Sequence, residues 1–170
     1  DRIHRQAMIA KFGLEAIGEK DIDKLFNKAT SLLADTLEVE YTKILELTPD
    51  NKVLKLRAGV GWHQGLVGNV CVENNKNSQA GYTLLKTSPV IVENLEKETR
   101  FFAPQLLADH NVISGMSVII PGPDSPFGIL GAHTDKHHIF SKDDSNFLQS
   151  IANILADVIV RNSKEKELRE

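Results

Sequence analysis

The stretch Trp62-His63-Gln64-Gly65-Leu66-Val67-Gly68-Asn69-Val70-Cys71 sets an indole, an imidazole, two glycines spaced Gly-x-x-Gly and the chain's only cysteine within ten residues. A phosphate-cradling loop needs successive amides aimed at the anion, usually at a helix N-terminus, and a P-loop adds Gly-Lys-Ser/Thr. Here Asn69 and Val70 lead into a strand pattern, so Gly65 and Gly68 read as turn residues that tolerate positive φ. A nucleophilic thiolate needs a base and an electropositive or helix-end setting. Cys71 instead sits in the apolar run Asn69-Val70-Cys71-Val72-Glu73, eight residues from His63. It is expected to be a buried, inert cysteine. His133, His137 and His138 invite a metal reading, but adjacent strand residues point to opposite sides and no cysteine or carboxylate completes a familiar ligand set. A solvated hairpin end is expected there. His110 follows an apolar stretch, where a cation suits the end of a helix.

The chain has 170 residues, enough for one domain and a helical extension, and 41% hydrophobic content can fill its core. A net charge of −3 without clustered Lys and Arg argues against a nucleic-acid or polyanion partner. One cysteine gives no disulfide framework, so a reducing, cytoplasmic compartment is expected. No apolar run approaches the roughly 20 residues that span a bilayer, and no membrane contact is expected. The chain begins Asp1 and ends in a charged run, so it reads as a piece of a longer protein.

Positioning these residues requires the following elements. Ile3, Ala7, Ala10 and Leu14 recur at helical spacing, predicting a helix over 1–17 that Gly18 breaks. Asp21 caps a second helix, 22–37, whose apolar face is Ile22, Leu25, Phe26, Ala29, Leu32 and Leu33. Residues 40–47 and 52–60 read as strands joined by Thr48-Pro49-Asp50-Asn51. In the second strand Leu54, Leu56 and Ala58 alternate with Lys55 and Arg57, predicting one wet face. A short strand near 69–73 precedes a loop and a helix, 79–87, capped by Ser78. Residues 89–95 form a strand, 96–112 a long connection with a helical stretch near 103–110. Residues 114–122 and 127–135 form a hairpin of buried strands. Ser141 and Asp144 form a capping box for the last helix. The expectation is an α+β fold: one mainly antiparallel sheet of about six strands, terminal helices packed on one face, and the 96–112 connection on the other.

At this level the chain resembles a GAF domain of the kind found in bacterial and archaeal sensor histidine kinases. The resemblance covers about 19–162. It rests on AGVGWHQGLVGNV (58–70), SQAGYTLLKTSPVIVENLEKETRF (78–101), VISGMSVIIPG (112–122), FGILGAHT (127–134) and FSKDDSNFLQSIANILA (140–156). It implies a signalling or linker helix at 1–18, a sensory GAF module at 19–162, and the start of a linker to an effector at 163–170. It further implies a ligand pocket between the sheet and the 96–112 loop, lined from 89–95, 101–110 and 114–118. The ligand-binding residues expected on that basis are Cys71, Tyr82, Val92, Phe101, Phe102, Leu106, His110 and Met116.

The family also carries specialised uses. Its free methionine sulfoxide reductases cycle several cysteines through a disulfide, which one cysteine cannot do within a chain. Bilin-binding members carry Cys-His in the region of 96–112, where this chain has Asp109-His110. Cyclic-nucleotide members carry a scattered signature. Lys136, Phe140 and Asp144 match it, while Asp135 and Ser145 depart from it, and Lys136 with Asp144 could form a plain ion pair. Heme is the sharper option: His110 would be the iron ligand, Phe101, Phe102, Leu106, Leu107 and Met116 the apolar walls, and Cys71 a second ligand or attachment point. The function expected is a non-catalytic sensory module whose ligand is unknown. A heme-based redox or gas sensor and a ligand-free dimerisation spacer are the alternatives. The expected partners are PAS or kinase domains of the same polypeptide and a second copy. The wide apolar face of the last helix (147, 148, 151, 154, 155, 158, 159) predicts a homodimer in which helices 1–17 and 142–165 pack as a parallel four-helix arrangement.

Overall fold

The computed structural model describes residues 1–169; the last residue of the expected 163–170 linker lies outside the described residues. The elements run α1 (Arg2–Gly18), α2 (Ile22–Leu37), β1 (Tyr41–Leu47), β2 (Val53–Val60), β3 (Cys71–Glu73), α3 (Gln79–Leu84), β4 (Val90–Val92), a 3-10 turn (Leu95–Lys97), α4 (Gln105–Asp109), β5 (Ser114–Ile120), β6 (Gly128–Thr134) and α5 (Lys142–Arg169). The caps follow the local chemistry. The Asp21 carboxylate accepts from the Asp23 amide, Ser78 Oγ from the Gly81 amide. Ser141 and Asp144 bond reciprocally, at 3.1 and 2.8 Å, closing the capping box at the head of α5.

The six strands form one antiparallel sheet in the order β3-β2-β1-β6-β5-β4, the α+β arrangement expected. One face carries α5, α2 and, over them, α1. There Ile44, Ala58, Met116, Val118, Leu130 and Ala132 join Phe26, Leu33, Phe147, Ile151 and Leu155 in a single core. Thr42 Oγ1 donates to the Thr30 carbonyl at 2.8 Å, fastening β1 to α2. The opposite face lies under a lid made of α3, the 94–104 connection and α4.

The strand Val53–Val60 does not keep one wet face. A β-bulge opposite the Ile44–Leu45 step makes Ile44 pair with Ala58 and Leu45 with Leu56, leaving Arg57 as the extra residue. Leu54 and Leu56 therefore face the lid while Ala58 joins the helix-side core. Arg57 turns toward α2, pairs with Asp23 at 2.7 Å and with Glu46, and lies over the Phe26 ring.

The apolar surplus read on the last helix is spent inside the chain. Phe147, Leu148, Ile151, Leu155, Val158 and Ile159 are all buried against the sheet, α1 and α2. The sequence pattern alone suggested a leftover stripe because it could not show that α1 folds back: Phe12 and Ala16 enter the same core, and Arg161 donates to the Ala16 carbonyl at 3.1 Å. What stays exposed is the outer side of α1, where Ile3, Leu14 and Ile17 are 80%, 72% and 70% exposed. Among the described residues no helix is long and apolar enough to cross a membrane. Because Ile151 packs within one chain, Ile151→Ala will lower stability by about 2–5 kcal/mol. Urea denaturation should show that loss at any protein concentration.

Candidate functional site

The turn between β2 and β3 anchors the site from one side. Gly61, Gly65 and Gly68 all take positive φ, as turn glycines do. The loop's amides are consumed internally: Leu66 N–H donates to the His63 carbonyl, Gly68 N–H to Leu56, and the Asn69 and Val70 amides to Leu66. None of these four is aimed at an anion. Trp62 folds over Gly59, where any side chain would collide with the indole, and its Nε1–H donates to the Thr42 carbonyl at 2.8 Å. Cys71 is exposed on edge strand β3, not buried as expected, because the short strand turns its alternate residue Val72 inward instead.

The lid is held by saturated polar groups. The His110 ring bridges two segments: Nδ1 lies 2.8 Å from the Leu106 carbonyl and Nε2 accepts from the His63 amide at 2.9 Å. That pairing defines the tautomer with hydrogen on Nδ1. The ring is boxed by His63, Trp62 and Tyr41 at 3.9, 5.0 and 5.6 Å between centroids. Deeper in, Gln79 Nε2 donates to Ser117 Oγ (3.1 Å), and Ser117 and Thr83 hydroxyls lie 2.8 Å apart. Thr83 in turn donates to the Gln79 carbonyl at 2.7 Å. This clasp fastens α3 to β5.

The eight expected ligand residues do not line one cavity. Val92 and Phe101 are buried in an apolar cluster with Val90, Leu95, Leu107 and Val112, and Tyr82 stacks on Phe101 at 5.3 Å. Phe102 is 77% exposed. With Cys71 and Leu106 it borders an outer groove of about 460 Å³ between β3 and the start of α4. Met116 lies on the other face of the sheet, in the helix-side core, because it pairs with Ile91 and Ala132 while Gly115 and Ser117 face the lid. His110 as placed has no free ring nitrogen for a heme iron, and Met116 is no wall of a lid-side pocket. The residues named for heme therefore do not fit it together. Lys136 pairs with Glu40 and Asp135, and Asp144 with Arg5, so they are not a pair with each other.

The floor under the lid holds what the sequence analysis missed. Lys43 and His133 point from β1 and β6 into this space, 1% and 0% exposed. His133 is thus not part of a solvated hairpin end: β6 is buried along its whole length, and solvent begins at Asp135. Both ring nitrogens of His133 lack hydrogen-bond partners among the described residues. Among the described residues no carboxylate influences Lys43, and burial pulls its ammonium down to about 7. Burial and then the Lys43 charge hold the His133 imidazole well below its usual range. The two side chains converge above Gly131: a Cβ there would lie 2.9 Å from His133 Nε2 and 3.0 Å from Lys43 Cε. Gly131 stands between Lys43 and Ser117 in the register, and Gly59 is the neighbour of Lys43 on the far side. On this face the apolar packing is divided into two clusters, one around Leu45, Leu54 and Leu56 and one around Val92 and Phe101. Lys43, His133 and Ser117 occupy the polar strip of the same face.

The GAF domain family matches residues 21–159. Among curated proteins none matches the chain in sequence. Several solved structures are similar over nearly its whole length. The GAF domain of a phosphoenolpyruvate-protein phosphotransferase from Coxiella burnetii has a TM-score of 0.86 at 14% identity, covering 99% of each chain. The free methionine-R-sulfoxide reductase of Neisseria meningitidis, solved with its substrate, has a TM-score of 0.79 at 14% identity, covering 95% of this chain and 93% of its own. A domain assigned to a two-component sensor histidine kinase of Sinorhizobium meliloti 1021 has a TM-score of 0.70 at 16% identity, covering 89% of this chain and 100% of its own. At these identities the likeness is one of fold.

The unpaired floor makes a direct prediction. Replacing Lys43 by Met removes a buried ammonium and fills its volume, and should raise stability by roughly 1–3 kcal/mol. Between about 7 and 10.5 the unfolded chain binds more protons at Lys43 than the folded one, so stability should rise with pH across that window. Chemical denaturation at stepped pH checks both, and the Lys43-dependent slope should vanish in Lys43→Met.

Proposed function

Since the chain belongs to the GAF domain family, we propose that it is a non-catalytic sensory module: it holds a small molecule between sheet and lid and passes its state to attached domains through the terminal helices. The observation that carries this reading is the floor. A spacer with no ligand gains nothing by burying a lysine with no counter-ion among the described residues and a histidine bonded at neither ring nitrogen, which destabilise the fold. Groups that lower stability without structural return mark sites kept for function. A single cysteine, exposed on an edge strand, supports the non-catalytic reading over disulfide-cycling chemistry within one chain. The fold neighbour assigned to a sensor kinase supports, by analogy, a histidine kinase as the parent protein.

The output surface is the exposed side of α1. Ile3, Ala7, Ala10, Leu14 and Ile17 alternate at spacings of four, three, four and three, the a/d seam of a coiled coil. Ala7 and Ala10 allow close approach at its middle. The proposed homodimer is therefore formed chiefly by α1 against α1 of a second copy, with α5 packed behind each. A ligand that alters the lid-side floor bears on β1 and β6, whose other face supports the helical layer, and shifts the balance between arrangements of that layer.

Two measurements test this. In native-state hydrogen exchange, 79–84 and 105–109 should open at free energies well below that of α5, as a ligand lid must; exchange of the lid only through global unfolding overturns the sensor reading. In light scattering the chain should be a dimer, and Leu14→Glu with Ile17→Glu should give a folded monomer. A monomeric parent chain at high micromolar concentration overturns the dimer.

A further inference from the structure

We infer that Lys43 and His133 form the anchor for the carboxylate group of a small monoanionic ligand, bound under the lid between the two side-chain heads. This rests on the sensory reading and specifies what the site takes.

The contrast among buried polar groups singles out these two. Gln79, Thr83 and Ser117 satisfy one another, and His110 is bonded at both nitrogens. His133, equally buried, is bonded at neither. Buried polar groups in folded proteins are paired with protein or with something bound, so an imidazole bonded at neither nitrogen, beside a buried lysine with no counter-ion among the described residues, describes a missing partner. The missing partner must accept hydrogen bonds from both. It must also carry negative charge, since a buried ammonium with no counter-ion is the group a bound anion stabilises most. The charge count limits that anion to one: Lys43 supplies a single positive charge, and the neutral His133 ring supplies an N–H but no charge. A monoanion with two acceptor oxygens meets one charged donor and one neutral donor, the stoichiometry of a carboxylate. A dianion such as sulfate would bury a second, uncompensated charge. A side chain at Gly131 would press on His133 Nε2 and on the Lys43 stem, and one at Gly115 would collide with His133 Nδ1, so neither position could hold a residue while the two side chains keep their places. Tyr41 stands opposite His133 in the register and the Trp62 ring lies 6.3 Å from the imidazole, so the remainder of the ligand meets aromatic surface.

The test is an amide chemical-shift titration of the whole chain with sodium acetate and sodium propionate, at ionic strength held constant with chloride. Saturable shifts are expected at Gly131, His133 and Ser117, and binding at least tenfold weaker in Lys43→Met and in His133→Phe. Acetamide, the uncharged isostere of acetate, and inorganic sulfate should give no saturable shift. Equal binding of acetate and acetamide, or undiminished acetate binding in Lys43→Met, overturns the carboxylate anchor. So does the absence of a saturable shift with either carboxylate. The sensory reading is judged apart from these outcomes, by the exchange behaviour of the lid, so a mobile lid with no carboxylate binding would remove the anchor alone.

Discussion

At the centre of an antiparallel sheet covered on both faces, a strand has no side to which it can turn a polar residue without burying it. That constraint organises this molecule. On the helix face it is met by apolar residues from β1, β5 and β6 packed on α2 and α5, with Thr42 tied to the Thr30 carbonyl. On the lid face it is met in two ways. Part of the polar content is closed upon itself in the Gln79–Thr83–Ser117 clasp and around His110. The rest lies buried at the centre of the sheet: Lys43, with no counter-ion among the described residues, and His133, with neither ring nitrogen bonded. The bulge at Arg57 serves the same constraint, since it lets β2 give leucines to the lid at one end and Ala58 to the helices at the other.

Much of the fold was legible in the sequence because local signals agreed with the global answer. The caps at Asp21, Ser78 and Ser141, the turn glycines 65 and 68, and the apolar runs of the buried strands β5 and β6 all act over a few residues. The site was far less legible. Lys43 sits between Tyr41 and Leu45 in a strand whose neighbours give no hint of which face is dry, and one residue of register decides whether a strand lysine is solvated or buried. His133 was grouped with His137 and His138 by proximity in sequence, although the strand ends just after it. A usable signal existed: Gly131 and His133 alternate in Gly128-Ile-Leu-Gly-Ala-His-Thr134, a run otherwise without charge, which marks His133 as enclosed. Met116 was placed on the lid side for want of the pairing that sets its parity. The surplus on α5 came from judging one helix apart from α1, which covers it.

The division of labour between the two faces bears on how one fold serves different proteins. The helix-side core is continuous and apolar, so it carries stability. The lid side holds two separate apolar clusters as well as its polar groups, so its parts can rearrange without breaking the core. A reductase and the GAF domain of a phosphotransferase share this frame at 14% identity each, a likeness of fold alone.

Trp62 is the only tryptophan of the chain. It stands against His110 and Tyr41, within 6.3 Å of His133, and holds Thr42 through its indole nitrogen. Its emission therefore originates from a single place, where turn, lid and floor meet. Any change in the charge of the floor or the water content under the lid will alter the brightness and colour of that one fluorophore. The protein thus carries an optical probe of its own interior, placed where turn, lid and floor meet.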